Sequence, residues 1–461
     1  MSTPSRRNSP LTGVARGYGE RTKTPRSSRE IRLENARPTC GAETSNDSVQ
    51  RVRTVDEIYF IPGRPFSCMR DAYLVGAGQS AYGAFPEESY RSLFRTAFDA
   101  AVDSVPDEFD ADEIDEAFIG TLGVGGRQLG LSGPAVTEHV GLDGVPCTRV
   151  ENACAASGFA VRQAVQAVKS GMADVALAGG FEVMTDTSSD ATKYWLGVSG
   201  ETEWERLSGT TFSGVYAQMA SAHMNEYGTT REQLSRVAVK NHANGAKNPH
   251  AQLGFECTLA DAQSAPVVAD PLNLYHCCPT SDGAACALIV GEDVVDDYTD
   301  DPIRVAGVGA GSDSVGLFQR DTYTGVPASR RAAETAYEMA DIDPADLDFA
   351  EVHDCFAIAE LLAYEDLGFC EPGDAGDLIE SGATELGGDL PVNTSGGLKS
   401  KGHPIGATGA GQVVEAFKQL SGKAGDRQVE TPTRGLTHNV GGSGGAAVVH
   451  VFEKQQEVSA R

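Results

Sequence analysis

Four short segments carry residues whose types and spacing could do chemistry. In Val150-Glu151-Asn152-Ala153-Cys154-Ala155-Ala156-Ser157-Gly158 a cysteine sits among small residues, between a strand-like and a helix-like stretch. A thiol at a helix N-terminus feels the positive end of the dipole, which lowers its pKa and favours the nucleophilic thiolate. A buried structural cysteine is the commoner fate of a lone thiol. In Glu351-Val352-His353-Asp354-Cys355-Phe356, His353 and Cys355 are two apart on extended chain and so point to one side. They would offer a hydrogen-bond donor and a second thiol to one pocket; the plainer alternative is a strand end with incidental polar residues.

The third segment, residues 393–409, is a long glycine-rich stretch that fixes His403 between Gly402 and Pro404. Its backbone N–H groups could cradle a phosphate, although the residue order of a P-loop is missing. Ser395, Lys399 and Lys401 also lie here. The two lysines are rare positive charges in an acidic body, suited either to an anionic ligand or to the ordinary surface. The fourth segment is His438-Asn439-Val440-Gly441-Gly442-Ser443-Gly444-Gly445. Glycines let backbone N–H groups approach a substrate oxygen, so Gly441, Gly442 and Gly444 are oxyanion-hole candidates. A tight hairpin is the alternative.

The elements that must position these residues alternate. Residues 72–78 read as a short apolar strand, 89–102 carry helical spacing through Leu93, Phe94, Ala97, Phe98 and Ala101, and 117–120 form a second strand. Residues 158–170 read as a small-residue helix and 173–180 as a buried strand. This alternation predicts a mostly parallel α/β sheet covered on both faces. Residues 181–281 are more polar, hold both tryptophans and a helix-like 231–246, and read as an inserted, lid-like region. Strand character returns over 284–290. Residues 303–308 open a second unit in the same order: helix 328–339, strand 349–352, helix 357–367, then helix 410–420 and a closing strand 446–451. Internal duplication is the natural reading.

A chain of 461 residues is long enough for two or three packed units. It has no run of about 18 apolar residues that would span a membrane. The net charge is −28, divided as +5 over residues 1–68 and −33 over the rest. Such a body repels phosphates, which argues against nucleic acid as a partner. It also suits concentrated salt, where self-repulsion is screened. Ten cysteines include no CxxC pair, so no metal site and no stapled secreted domain are expected, and a reducing cytoplasm fits. Residues 1–68, rich in Ser, Thr, Pro and Arg, are expected to be a disordered extension, or to precede a start at Met69.

Together the four segments resemble the thiolase family, over about residues 73–452, and Ser281-Asp282-Gly283-Ala284-Ala285 adds a fifth match. His353-Asp354-Cys355-Phe356 resembles the branch of sterol-carrier-protein-X thiolases and archaeal acetyl-CoA acetyltransferases. Better-known bacterial thiolases have Asn-Glu-Ala-Phe there and a Cys-x-Gly near the C-terminus. Here no cysteine follows Cys370, and His438-Asn439 occupies that neighbourhood.

The resemblance implies an α/β thiolase fold: two duplicated βαβαβαββ halves in five αβαβα layers, with an inserted loop domain. The first half would span 69–180 plus 282–300, the insertion 181–281 and the second half 301–461. It implies coenzyme A thioesters as substrates, with no bound cofactor. Cys154 would take the acyl group with His403 as base. His353 and His403 would hold an enolate oxygen, and Cys355 would remove the α-proton. Ser395, Lys399, Lys401, His438 and Asn439 would contact coenzyme A or support the site. A homodimer or homotetramer is implied, as are a small OB-fold, zinc-ribbon partner and hydroxymethylglutaryl-CoA synthase. Supply to the mevalonate route, polyhydroxyalkanoate synthesis and fatty-acid degradation are all compatible. Two rival readings stand: a decarboxylating ketoacyl synthase, and a non-catalytic acyl-CoA-binding scaffold, which the empty C-terminal cysteine position favours.

Overall fold

Short apolar runs bounded by glycine become strands, and the amphipathic stretches between them become helices. In the computed structural model, which describes residues 70–455, the first half runs β1 (Ala72–Gln79), α1 (Tyr90–Val102), β2 (Glu116–Gly120), α2 (Ser132–His139), β3 (Cys147–Val150), α3 (Ala156–Lys169) and β4 (Val175–Glu182). An insertion then carries α4 (Ser189–Gly197), α5 (Phe212–Tyr227), α6 (Arg231–Gly245), α7 (Leu259–Ser264) and the ribbon β5 (Val267–Ala269) with β6 (Leu272–Asn273). β7 (Gly283–Gly291) completes the half. The second half runs β8 (Ile303–Ser312), α8 (Pro327–Ala340), β9 (Phe349–Glu351), α9 (Ala357–Asp366), α10 (Ala375–Ser381), α11 (Gly397–Ser400), α12 (Thr408–Leu420), β10 (Arg434–Gly441) and β11 (Ala446–Lys454). The extension expected over residues 1–68 lies outside the described residues.

Strand pairing exposes the duplication. The first half is ordered β3-β2-β4-β7-β1 and the second β9-β10-β11-β8, with a single parallel bridge from Ala350 to Val392 standing where β3 stands in the first. In both halves the inner pair is parallel (β2–β4, β9–β10) and the last two pairings are antiparallel. The halves join edge to edge through β1 and β8, with Tyr73 opposite Arg304. The mostly parallel sheet expected from the alternation is therefore corrected to a mixed one. The final strand of each half pairs antiparallel with the strand before it, β4 with β7 across the insertion and β10 with β11 through a hairpin.

Helices α1 and α2 cover the outer face of the first half and α8 and α9 that of the second, while α3 packs on α12 between them. This gives five layers, αβαβα. Two glycines set how closely the central helices approach. A Cβ on Gly409 would lie 2.3 Å from the Gly158 nitrogen, and one on Gly158 would lie 2.8 Å from Asn439 Oδ1. A side chain at Gly409 would drive α3 and α12 apart, and one at Gly158 would push α3 away from Asn439 and Val448 of the sheet. The chain entering these two helices carries Cys154 and His403.

Candidate active site

Cys154 lies in a short 3-10 turn, Ala153–Ala155, that feeds α3. To make that turn Ala153 takes φ +51, a left-handed conformation that costs a non-glycine residue about 1–2 kcal/mol. Its N–H is held by Glu151 Oε1 at 2.7 Å. Cys154 lines a cavity of about 500 Å³ together with Cys355, His403 and Gly442. The sulfur of Cys154 and ring nitrogens of His353 and His403 lie within 4.8 Å of one another. The two imidazoles meet edge to face, 5.2 Å between centroids. Residues from all four chemical segments thus converge on one space.

The thiol does not acquire the low pKa expected at a helix end. Burial pushes it up to about 12, and the N–H groups of Gly442 and Cys154 itself only pull it part of the way back. Removing water from a thiolate outweighs the helix dipole here. A nucleophile so placed needs an adjacent base. Burial pushes His403 down to about 3, so its ring is neutral at pH 7 and can accept a proton. Thr408 Oγ1 lies 2.7 Å from His403 Nδ1 and donates to the Pro404 carbonyl at 3.0 Å. A hydroxyl has one proton, so Nδ1–H donates to Thr408 and Nε2 keeps the lone pair.

His353 is prepared the opposite way. Asn439 Nδ2 donates to its Nδ1 at 3.0 Å, which puts the ring proton on Nε2. Among the described residues Nε2 is buried without a hydrogen-bond partner. Burial, with His403 and His438 nearby, holds the ring well below the usual histidine range and so neutral. A neutral base and a free N–H therefore flank one sulfur.

The glycine loop narrows to one donor. The Gly442 N–H reaches the Cys154 sulfur. The Gly444 N–H is taken by the Gly441 carbonyl at 3.1 Å, and Gly441 ends β10 opposite Ala446, with its α-carbon against the Asn152 carbonyl. Gly444 is therefore corrected from an oxyanion donor to a turn-forming residue.

Lys399 and Lys401 are neither surface lysines nor open to an anion, each being 2% exposed. Lys399 Nζ donates to the Cys277 carbonyl at 2.6 Å; Lys401 Nζ donates to the Gly411 carbonyl at 3.2 Å and lies 3.8 Å from Glu351. Nor do the backbone N–H groups of this loop's start cradle a phosphate. Ser395 N–H goes to Glu351 Oε1 at 2.9 Å, and Leu398 and Lys399 N–H go to the Asp354 carboxylate at 2.6 and 3.1 Å. Ser395 Oγ donates to Glu351 Oε2 at 2.5 Å, and His438 Nε2 meets Ser329 Oγ at 2.8 Å. The exposed cation on the cavity wall is Lys193 of the insertion, joined there by half-buried Arg206.

Sequence reasoning missed how far the insertion builds the site. Cys277 bridges Phe356 and Thr280 bridges His403, while Cys278 N–H donates to the Cys355 carbonyl at 3.0 Å. Ser281 Oγ accepts the His403 N–H at 2.8 Å, and Asp282 accepts from Met184 and Thr185 N–H at 2.6 and 2.9 Å. The Ser281-Asp282-Gly283 motif was the available signal for these contacts. Tyr216 of α5, which stacks on Phe356 with centroids 4.6 Å apart, had none.

Residues 72–293 match the family profile described as "Thiolase, N-terminal domain", and residues 309–454 match "Thiolase C-terminal domain-like". The chain is 42% identical over 388 residues to an acetyl-CoA acetyltransferase of Methanothermobacter thermautotrophicus, covering 84% of this chain and 100% of that one. It is 34% identical over 415 residues to sterol carrier protein 2 of Gallus gallus, covering 85% and 73%. The solved "Ltp2-ChsH2(DUF35) aldolase" superposes with TM-score 0.72 at 26% identity, over 85% of this chain and 100% of that one. Human mitochondrial 3-ketoacyl-CoA thiolase does so with TM-score 0.67 at 17% identity, over 85% and 100%, a likeness of fold.

Proposed function

The chain belongs to the thiolase family, and on that premise we propose that it is an acetyl-CoA C-acyltransferase working through an acyl-Cys154 intermediate. It makes or cleaves 3-ketoacyl-CoA such as acetoacetyl-CoA. The observation that carries the assignment is the meeting of the Cys154 thiol, a neutral base and an unpartnered N–H within 4.8 Å.

Cys154 attacks the thioester carbonyl as its proton passes to His403 Nε2, and the Gly442 and Cys154 N–H groups steady the oxyanion. The coenzyme A sulfur departs as a thiolate and, once free of the acyl group, takes the proton of Cys355, leaving a thiolate there; acylation itself needs no Cys355 proton. That thiolate then takes the α-proton of a second acetyl-CoA: the C–H bond breaks, its electron pair enters the enolate, and S–H forms again. His353 Nε2–H and protonated His403 hold the enolate oxygen. The enolate carbon attacks the acyl-Cys154 thioester, and Cys154 leaves as thiolate and recovers its proton from His403. Thiolysis is the reverse sequence.

In this reading Lys193 and Arg206, cations on the cavity wall, meet the phosphates of coenzyme A. A cytoplasmic setting and a salt-tolerant acidic surface complete the reading, supported by the thiol-dependent chemistry and the net charge of −28. Among the described residues no helix is long and apolar enough to cross a membrane. Assembly as a homodimer or homotetramer belongs to the same reading. So does a small OB-fold, zinc-ribbon partner.

Incubation with acetyl-CoA labelled in its acetyl group, followed by peptide mass spectrometry, tests the assignment. The label is expected on Cys154; stable label on any other residue overturns it.

A further inference from the structure

Tyr216 is a group on the cavity wall that the reaction above leaves unused. It is 2% exposed and shares the cavity lining with Cys154, Cys355 and Gly442. Its ring lies flat on Phe356, 25° from parallel, and Phe356 follows Cys355 directly in the chain. Phe356 is pinned in turn by its bridge to Cys277. The phenol and the Cys355 sulfur are therefore carried on one stacked unit. The hydroxyl donates to the Gly442 carbonyl at 3.1 Å, while the Cys355 sulfur, on the same cavity wall, is the neighbouring group whose proton affinity it affects.

One phenolic proton thus faces two acceptors. While Cys355 is a thiol, a weak acceptor, the proton belongs to the carbonyl of Gly442. Once Cys355 has given its proton away, its sulfur is charged and becomes the better acceptor, because hydrogen bonds to ionised groups are the stronger kind. A rotation about one C–O bond moves the proton between them. We infer that Tyr216 stabilises the Cys355 thiolate during α-proton transfer by turning its hydroxyl from the Gly442 carbonyl to that sulfur; this rests on the acyl-transfer reading above.

The surroundings make the need plain. Burial pushes the Cys355 thiol up, and Cys278, Cys154 and Asp354 nearby push the same way, whereas Tyr216 is the group that pulls it down. Arg320 is a charged neighbour of the phenol. Tyr216 keeps its own proton throughout, since burial and the neighbouring thiols raise it well above the usual tyrosine range.

Tyr216→Phe keeps the ring and its stack and removes only the hydroxyl. Deuterium exchange into the acetyl-CoA methyl group, and condensation with it, should fall about 10–100-fold. The fall should appear in kcat with KM unchanged, while the acylation burst at Cys154 stays within about twofold of its rate in the unaltered protein. In a Cys154→Ser background, the pH midpoint for alkylation of Cys355 by iodoacetamide should move upward on Tyr216→Phe. Unchanged exchange, an unmoved midpoint, or loss of acylation in step with exchange overturns the role. Cys355→Ala separates this failure from failure of the underlying reading. If that variant retains exchange, Cys355 is not the acid–base group and both fall; if it abolishes exchange while Tyr216→Phe does not, the Tyr216 role alone falls.

Discussion

The two halves present equivalent helices, α3 and α12, to one cavity, yet prepare the chain before them differently. Ahead of α3 the connection from β3 is brief, with one strained residue, Ala153, and one side-chain contact to its N–H from Glu151. Ahead of α12 the chain from Val392 to Thr408 wraps two buried carboxylates, Glu351 and Asp354, before it reaches His403. The halves end differently too, since the first opens after β4 to admit the insertion and the second closes at Gly442 in a hairpin. A duplicated scaffold has divided its labour. On the proposed mechanism the first half supplies a nucleophile on a tight turn, while the second supplies the groups that move protons, held by a dense polar interior.

The sharpest test of that division pairs one thiol from each half. Cys154→Ala should abolish acylation and lower thiolysis of acetoacetyl-CoA by about 10⁴-fold or more, because no nucleophile remains. Cys355→Ala should acylate normally, yet exchange no α-protons and condense nothing. Burst kinetics with a mass-spectrometric count of acylated protein reads both. Loss of acylation in both variants would break the division.

A second test joins the halves across the Cys154–His403 pair. The folded pKa of His403 is pushed down to about 3 and that of Cys154 up to about 12. Both groups are therefore neutral across the working range, with the base protonated only as pH falls through its depressed value. Single-turnover acylation should stay flat from pH 8 down to pH 5. A histidine with the ordinary value of about 6.5 would lose about thirtyfold by pH 5. An acid limb near pH 6.5 would show that water reaches His403 and that burial does not govern it.

The carboxylates that shape the loops offer a smaller contrast. Glu182, at the end of β4, accepts N–H groups of Leu122, Gly123 and Val124 at 3.0, 3.0 and 2.9 Å. Asp354 does the same for Leu398 and Lys399, and accepts Asn241 Nδ2 at 2.8 Å. In each case both oxygens are occupied, so Glu182→Gln and Asp354→Asn each turn an NH2 towards a donor, at a cost of about 1–3 kcal/mol. Chemical denaturation should show similar losses for both. Condensation should slow, about tenfold, for Asp354→Asn alone, since that residue lies between His353 and Cys355. Equal slowing in the Glu182 variant would mean that the first half also steers proton transfer.

Much of this was legible in the sequence, for definite reasons. The helices declared themselves through periodic apolar residues such as Leu93, Phe94, Ala97 and Phe98, and the chemical segments through Cys and His set among small residues at strand ends. β10 was read as a glycine loop because His438, Asn439 and Gly441 are weak strand formers; pairing to β9 and β11 overrides that preference. The direction of the last strand in each half depends on what connects it, which periodicity does not encode. The acidity of Cys154 reversed sign because burial is a tertiary property. Which backbone N–H groups are free depended likewise on Glu351 and Asp354, carboxylates of β9 and the turn after it that no spacing rule links to residues 394–399.

The lysines show the same limit and yield the smallest predicted effect. A lysine in a glycine-rich loop reads as exposed, yet Lys399 is buried against the Cys277 carbonyl, whereas Lys193 of α4 is open at the cavity. Arg206 lies beside it, its guanidinium 5.4 Å from the Tyr194 ring centroid and its Nε buried with no hydrogen-bond partner among the described residues. If these two meet the phosphates of coenzyme A, Lys193→Ala and Arg206→Ala should each raise KM for acetyl-CoA about 3–10-fold with kcat unchanged. The Lys193 effect should fade in concentrated potassium chloride, because an exposed charge is screened within a few ångströms there. Lys399→Met should instead lower the melting temperature, leaving KM unmoved, because it strips a donor from a buried carbonyl. A Lys399 variant that keeps its melting temperature but raises KM would return the phosphate contact to the second half, and with it the loop that the buried carboxylates now occupy.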